Sequence, residues 1–320
     1  LLFMAAIWLG DGGVSPISSV VGDGTSGEGW ASPLAGSGEH QLYTTYSIII
    51  ATFLGTMGLP HVVVRFYTNP DGAAARRTTL LVLALLGIFY LLPPVYGALG
   101  RLYAPDLIAS GRTESVVLEL PARMLGGTLG DLLSALTTAG AFAAFLSTSS
   151  GLTIAVAGVI SQDVMGRGFG GVRAFQAGAV VAVLVPIGLA LVTEGVGVAQ
   201  AVGLAFAFAA STFCPLLVLG IWWRRLTAAG AIAGMLVGGS CAGGAVLGTL
   251  LGAAPAGWPG ALLAQPAAWT VPMALLVMVA VSLATPRRVP RHAARTMVRL
   301  HTPEAVQLDR GSPAPVTPPR

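Results

Sequence analysis

The sequence carries very little charge, and it contains no lysine. Only 9% of its 320 residues are charged, whereas about 25% are charged in an average soluble domain. Hydrophobic residues make up 54% of the chain. A chain with so few ionisable side chains cannot cover a water-facing surface with polar groups, which excludes an ordinary soluble protein. The composition therefore indicates a membrane protein.

Cysteine and catalytic signatures are also scarce. The two cysteines, Cys214 and Cys241, both lie in apolar segments, which is typical of small buried side chains rather than a disulfide or a metal pair. The apolar segments contain no Walker loop, dinucleotide-binding fingerprint, cluster of metal ligands or catalytic triad. An intramembrane enzyme needs ionisable groups at bilayer depth, but Asp131 and Asp163 lie near the ends of apolar segments. We therefore predict neither an enzyme nor a cofactor.

Long hydrophobic runs dominate the rest of the chain. Windows of about 19 residues predict seven membrane-spanning helices, at residues 45–66, 78–99, 130–160, 174–193, 198–222, 228–251 and 268–285. Within the sixth, glycines recur every fourth residue at 230, 234 and 238, a pattern typical of close helix packing. The sequence therefore predicts an all-α polytopic membrane protein with a transmembrane bundle over residues 45–285.

The flanking segments lack this hydrophobic pattern. Residues 1–9 are apolar but too short to cross a bilayer, and we interpret them as the remnant of a truncated helix. Residues 10–44 are rich in Gly and Ser and are predicted to form an extracytoplasmic loop. Residues 286–320 are rich in Pro and Arg and are predicted to be a disordered tail. We expect the chain to be the C-terminal portion of a longer protein.

The arginines alternate between the two sides of the predicted bundle. Connections 65–77, 161–173 and 223–227 and the tail carry fourteen arginines, whereas the intervening connections carry only three. By the positive-inside rule, the arginine-rich side and the C-terminus are cytoplasmic, as in a multi-pass protein of the cell (plasma) membrane. Maintenance of this topology is the simpler role for the tail arginines, and contact with anionic membrane lipid is the alternative.

Segment 55–67, GTMGLPHVVVRFY, is predicted to interrupt its helix. Pro60 lacks an amide hydrogen and Gly58 loosens the same turn, so backbone groups become available to bind a ligand. His61, the only histidine within a predicted span, lies beside the break. These three residues are candidates for substrate binding. Arg65 lies one turn later and is interpreted as a gate or as an anchor at the membrane surface.

The other candidate site is a group of hydroxyls at mid-span in 141–163. Ser and Thr occupy all four positions 147–150, and lipid offers them no water as a partner. The Ser147 and Thr148 hydroxyls and the Ala144 carbonyl, one turn earlier, offer three neutral oxygens, which suits a monovalent cation such as sodium. The structural alternative is that these hydroxyls bond to their own helix or pack as small residues.

These two motifs together resemble the sodium:solute symporter family, and within it the cation/acetate (monocarboxylate) branch. The resemblance covers roughly residues 45–285. It is carried by residues 55–61, 65–67, 69–71, 75–77 and 143–152, and residues 206–239 are similar to the late helices of the family.

The resemblance implies the second half of an inverted-repeat, LeuT-like bundle, with substrate and ion held at mid-membrane. In the family, Ser147, Thr148 and the carbonyl of Ala144 correspond to the sodium site, and the stretch containing His61 lines the substrate cavity. The implied function is sodium-coupled symport of an acetate-like monocarboxylate by alternating access. The implied partners are Na+, a small organic anion, membrane lipid and the missing N-terminal half, and no nucleic acid is implied. Proton coupling through His61, or a transport-inactive sensor or partner subunit, are the alternatives.

Overall fold

A computed structural model describes residues 40–59, 69–165, 171–192, 197–252, 255–290 and 293–302. Within these ranges the regular structure is helical. We number the α-helices in chain order: α1 Gln41–Gly58, α2 Gly72–Tyr90, α3 Leu92–Tyr103, α4 Pro105–Ala109, α5 Val116–Leu125, α6 Gly127–Val159, α7 Val172–Val192, α8 Val198–Trp222, α9 Ala228–Leu250, α10 Trp258–Ala264, α11 Ala267–Ala284 and α12 Ala293–His301.

Six helical stretches in the described residues are long and apolar enough to cross a membrane. They lie at Gly72–Tyr103, Gly127–Val164, Val172–Leu191, Val198–Trp222, Ala228–Leu250 and Ala267–Ala284. Each corresponds to one of the seven predicted spans. The remaining prediction, 45–66, is described only to residue 59, and its described part is α1. The prediction of an all-α polytopic membrane protein is confirmed.

The chain forms two compact units. One comprises residues 1–41 and 74–198, and the other comprises residues 42–73 and 199–320.

The first unit contains α2 to α7. Helices α5 and α6 pack against each other, and Gly126, with φ of 61°, makes the reversal between them because side-chain-bearing residues rarely adopt that conformation. A π-helical turn, Ile160–Val164, extends α6 at its C-terminal end. Helix α7 then packs on α6 where Gly178 faces Ala157, and a Cβ on that glycine would lie 2.9 Å from the Ala157 carbonyl oxygen.

The connection at 100–129 is ordered by short helices and ion pairs. Arg123 Nη2 lies 2.9 Å from Glu119 Oε2, and its guanidinium also donates to both carboxylate oxygens of Asp106. These bonds hold the pKa of Asp106 below its ordinary value, principally through the hydrogen bond from Arg123. Glu114 Oε1 in turn accepts from the Val198 backbone N–H at 2.6 Å. The connection is therefore an ordered segment rather than an open loop.

The second unit is held together by close helix contacts at small residues. Gly230 and Gly234 of α9 face Met278 of α11, and Gly238 faces both Ala274 of α11 and the backbone of Ser211 in α8. All three glycines are buried. The predicted glycine packing face is thus confirmed, because at these points a methyl group would meet atoms of the neighbouring helix.

The start of the C-terminal tail differs from the predicted disordered segment. A 3₁₀ turn, Pro286–Arg288, follows α11, and α12 spans Ala293–His301. The rings of His301 and Trp222 lie 4.9 Å apart. This helix is amphipathic, and the ring contact gives it a partner that its composition alone does not reveal. Residues 303–320, 1–39 and 60–68 lie outside the described part of the chain, so the predictions for residues 1–9 and most of 10–44 stay predictions.

Candidate functional site

The predicted sodium ligands lie on one face of α6. Ala144, Ser147 and Thr148 are separated by three and four residues, a spacing that brings side chains together on a continuous α-helix. All three residues are exposed. The structure therefore brings the predicted ligands together on one exposed face of a helix.

The hydroxyls of this helix fall into two groups. Thr137 and Thr138 donate to carbonyls of the preceding turn, each at 2.8 Å, and Ser149 donates to the Leu146 carbonyl at 3.2 Å. Within the described residues, by contrast, neither Ser147 nor Thr148 makes a side-chain hydrogen bond. Within the described residues, return of a hydrogen bond to the helix, the structural alternative for these hydroxyls, is thus seen for Ser149 and not for Ser147, Thr148 or Ser150.

The packing alternative also lacks support at these positions. Ser147 and Thr148 are both exposed, as are the large side chains Phe145 and Leu146 beside them, at 68% and 65%. Only 6% of the most apolar stretch of this helix is buried. Among the described residues, no side chain covers or hydrogen-bonds the two hydroxyls. With the Ala144 carbonyl they offer up to three oxygens, and a sodium ion needs about two more.

Gly58, a predicted substrate contact, is the last residue of α1 and is buried. A Cβ at this position would lie 2.9 Å from the Ala209 carbonyl oxygen and 3.0 Å from Phe213 Cβ. The structure thus gives Gly58 a packing role against α8, which the sequence interpretation did not assign. The other predicted residues of this segment, Pro60, His61 and Arg65, lie outside the described residues, and their roles stay predictions.

One polar cluster at bilayer depth has a structural explanation. Ser211 Oγ and Thr270 Oγ1 lie 2.6 Å apart and both are buried. Each hydroxyl has a single hydrogen, so one of the two donates to the other, and the hydroxyl that accepts donates to its own helix, Ser211 to the Ala207 carbonyl or Thr270 to the Pro266 carbonyl. These hydroxyls are satisfied and join α8 to α11. No sequence motif predicts this pairing, because Ser211 and Thr270 are 59 residues apart.

A cavity in the first unit was not predicted. Its volume is about 730 Å³. It is lined mainly by aromatic and aliphatic residues of α2, α3 and the following connection, including Phe89, Tyr96 and Val116, with Arg101 and Thr113 as its polar members. No sequence motif marks it, because its lining residues come from separate segments. The described residues contain no group of three His, Cys, Asp or Glu side chains that could hold a metal ion.

Comparison with known proteins identifies a transporter family. The sequence profile of the Sodium:solute symporter family matches residues 34–238. An uncharacterized symporter of Bacillus subtilis is 32% identical over 204 residues, which is 61% of this chain and 39% of that protein. A monocarboxylic acid transporter of Corynebacterium glutamicum is 34% identical over 203 residues, which is 60% of this chain and 36% of that protein.

A third relative extends the same pattern. An uncharacterized symporter of Cupriavidus necator is 31% identical over 233 residues, which is 60% of this chain and 34% of that protein. The matches thus span little more than a third of the length of these curated relatives. No solved structure matches the chain significantly.

Proposed function

Because this chain belongs to the sodium:solute symporter family, we propose that it takes part in sodium-coupled symport of a small organic anion. The proposed substrate is an acetate-like monocarboxylate, and the proposed mechanism is alternating access. Family membership supports a transporter rather than an enzyme, with a solute and a cation as co-substrates. The chain matches only part of each relative, so we assign the transport cycle to the whole protein that contains it.

The available hydroxyls of Ser147 and Thr148 are the observation that carries the sodium proposal. Sodium is a hard cation that is bound by oxygen ligands, and neutral oxygens hold it weakly enough for release. In the described part of the chain these two hydroxyls make no hydrogen bond, whereas Thr137 and Thr138 donate to carbonyls of their own helix. In our proposal the two hydroxyls and the Ala144 carbonyl bind Na+, and oxygens from elsewhere in the whole protein complete the site.

The substrate proposal rests on chemistry and on one relative. A monocarboxylate needs hydrogen-bond donors, and His61 and backbone amides freed by Pro60 would supply them. The Corynebacterium glutamicum relative is named a monocarboxylic acid transporter. Gly58 would permit the close approach of α1 to α8 that positions this segment, and Arg65 would serve as gate or anchor.

The mechanism follows from differential binding. An ion that binds one conformation more tightly shifts the population toward that conformation by its difference in affinity. Sodium at Ser147 and Thr148 would favour the outward-open state, the anion would bind next, and both would leave on the cytoplasmic side. We also propose a plasma-membrane location with a cytoplasmic C-terminus, because the arginine-rich connections all lie on that side of the predicted topology.

Two alanine substitutions in the whole transporter test this assignment. Ser147→Ala and Thr148→Ala should each raise the sodium concentration for half-maximal acetate uptake by about tenfold or more, since hydrogen-bonding groups contribute about 1.5–3 kcal/mol to a charged partner. Uptake of radiolabelled acetate into proteoliposomes over a range of sodium concentrations measures this shift.

Ser149→Ala is the matched control, because the Ser149 hydroxyl already donates to the Leu146 carbonyl. It should leave the sodium dependence unchanged. Equal sodium dependence in all three variants would contradict the proposed ligands. Uptake driven by a pH jump in the absence of sodium would instead support proton coupling.

A further inference from the structure

Three chain segments meet at one end of the second unit. Thr227, which caps the start of α9, lies with its Oγ1 2.9 Å from Thr285 Oγ1, and its backbone N–H donates to Ser282 Oγ at 3.3 Å. These bonds hold the α8–α9 connection beside the end of α11. Both segments carry paired arginines at this point: Arg224, Arg225, Arg287 and Arg288.

Helix α12 lies at the same end. The ring of His301, its last residue, is 4.9 Å from the ring of Trp222, the last residue of α8. Trp222 remains 73% exposed despite this contact. Arg295 and Arg299 of α12 are four residues apart and therefore project from the same face of the helix. The ring contact therefore places the two arginines of α12 at the same end of the unit as the four arginines of the preceding connections.

The nine residues of α12 separate into two faces. At about 100° per residue, Ala293, Met297 and Leu300 share one side of the helix, Arg295 and Arg299 share the opposite side, and Val298 lies between the two faces. Val298 is 56% exposed and Leu300 is 58% exposed. A helix with an exposed apolar face and an arginine face is suited to lie in the plane of a membrane interface.

The described segments that form this end, 223–227, 285–288 and α12, carry arginines and no acidic residue. Between Glu194 and Glu304 the sequence contains seven arginines and no acidic residue. The partner of this surface should therefore be anionic. Arginine presents a planar fork of donors that matches the oxygens of a phosphate, so a phosphate group suits the surface well.

We propose that α12, with the adjoining ends of α8 and α11, forms an interfacial site for the headgroup of an anionic phospholipid. The arginines contact the phosphate, while Trp222, Val298 and Leu300 enter the boundary between headgroups and acyl chains. The exposed apolar face, beside helices that end at the membrane surface, favours bilayer lipid over a soluble phosphate compound or a nucleic acid. This site is separate from the proposed sodium ligands, and its test requires no transport.

Quenching of Trp222 fluorescence by brominated lipid measures the proposed binding. The full chain is placed in nanodiscs of phosphatidylcholine that contain increasing amounts of brominated phosphatidylglycerol, and the Trp222→Phe variant provides the signal of the other tryptophans. Brominated phosphatidylcholine in the same discs gives the reference for a zwitterionic lipid. The expected result is preferential quenching by phosphatidylglycerol that weakens as salt is raised.

The double variant Arg295→Gln, Arg299→Gln should lower this preference about thirtyfold, since each arginine near an anionic surface contributes about 1 kcal/mol and 1.4 kcal/mol corresponds to tenfold. Arg76→Gln, Arg77→Gln is the control, because it removes the same charge from the start of α2. Leu300→Ser should reduce quenching by both lipids, because it shortens the apolar face.

Three results would overturn the proposal. The first is unchanged preference in the α12 double variant, and the second is an equal loss in the control pair. The third is displacement of phosphatidylglycerol by millimolar inorganic phosphate or a short DNA duplex at constant ionic strength, which would assign the surface to a soluble anion.

Discussion

Replacement of Gly238 by alanine tests the helix packing on which the second unit depends. A Cβ on this residue would overlap the carbonyl oxygen of Ser211 in α8 and would lie 2.8 Å from Ala274 Cβ in α11. The carbonyl belongs to the helix backbone and cannot rotate away, so α8 and α9 would have to separate. Overpacking of this kind costs about 1–3 kcal/mol.

A second glycine of the same helix isolates that cost. Alanine is favoured over glycine in a helix interior by about 0.8–1.0 kcal/mol, and this gain applies equally at Gly238 and Gly244. No heavy atom lies within 4 Å of the Cβ position at Gly244. The free energies of unfolding of Gly238→Ala and Gly244→Ala should therefore differ by about 1–3 kcal/mol, with the helix propensity cancelled.

Thermal unfolding of the two variants in detergent provides the measurement. Each kcal/mol changes the midpoint by about 2–4 °C in domains of 150–250 residues. Gly244→Ala should therefore unfold at or slightly above the wild-type temperature, and Gly238→Ala should unfold at least about 2 °C below Gly244→Ala. Equal midpoints, or a higher midpoint for Gly238→Ala, would show that α8, α9 and α11 do not approach as closely as described.

Two other changes probe the predicted site and the structured connection. Gly58→Ala should lower the thermal midpoint, because its Cβ would lie 2.9 Å from the Ala209 carbonyl oxygen; weaker substrate binding at an unchanged midpoint would refute the packing role. Asp106→Asn should lower the midpoint at pH 7. The hydrogen bond from Arg123 lowers the pKa of Asp106 from its ordinary value of 3.8, so its stabilising contribution is present above that value and is lost as pH falls through the folded-state pKa. A gap between wild type and Asp106→Asn that persists below that range would contradict the ion pair.

The membrane spans could be predicted because a bilayer imposes a length and a composition on each helix. The predicted span 198–222 coincides with α8, and 228–251 differs from α9 by one residue. The spacing of Gly230, Gly234 and Gly238 also identified a packing face, since small residues four apart allow two helix backbones to approach. These features depend on local sequence alone, which is why they could be read without the structure.

Features that depend on distant contacts were not predictable. Residues 100–129 carry mixed charge and show no extended hydrophobic periodicity. The pairing of Arg123 with Asp106, seventeen residues away, therefore could not be predicted from the sequence. Helix α12 follows a segment rich in proline and arginine, a composition typical of disorder. Its nine residues are too few to show a helical hydrophobic pattern that would outweigh that composition. Its contact with Trp222 arises only in the folded chain.

The candidate site likewise combines features that the sequence predicts with features that it does not. Residue type and spacing place Ser147, Thr148 and Ala144 on one face of a helix, as the structure does. Whether a hydroxyl donates to its own helix depends on the side-chain rotamer, however, and no spacing rule fixes that choice. Thr138 and Thr148 are both threonines of α6, yet Thr138 donates to the Ser134 carbonyl and Thr148 makes no such bond within the described chain.

This difference has an energetic consequence for the proposed sodium site. A hydroxyl transferred from water to an apolar medium without a partner loses about 1–3 kcal/mol by the measure of protein mutations. Thr138 avoids that cost through a rotamer that is equally open to Thr148, because both lie in regular helix. Within the described residues Ser147 and Thr148 do not use it. In our proposal a sodium ion compensates both oxygens at once, whereas a neighbouring helix would need a separate donor or acceptor for each.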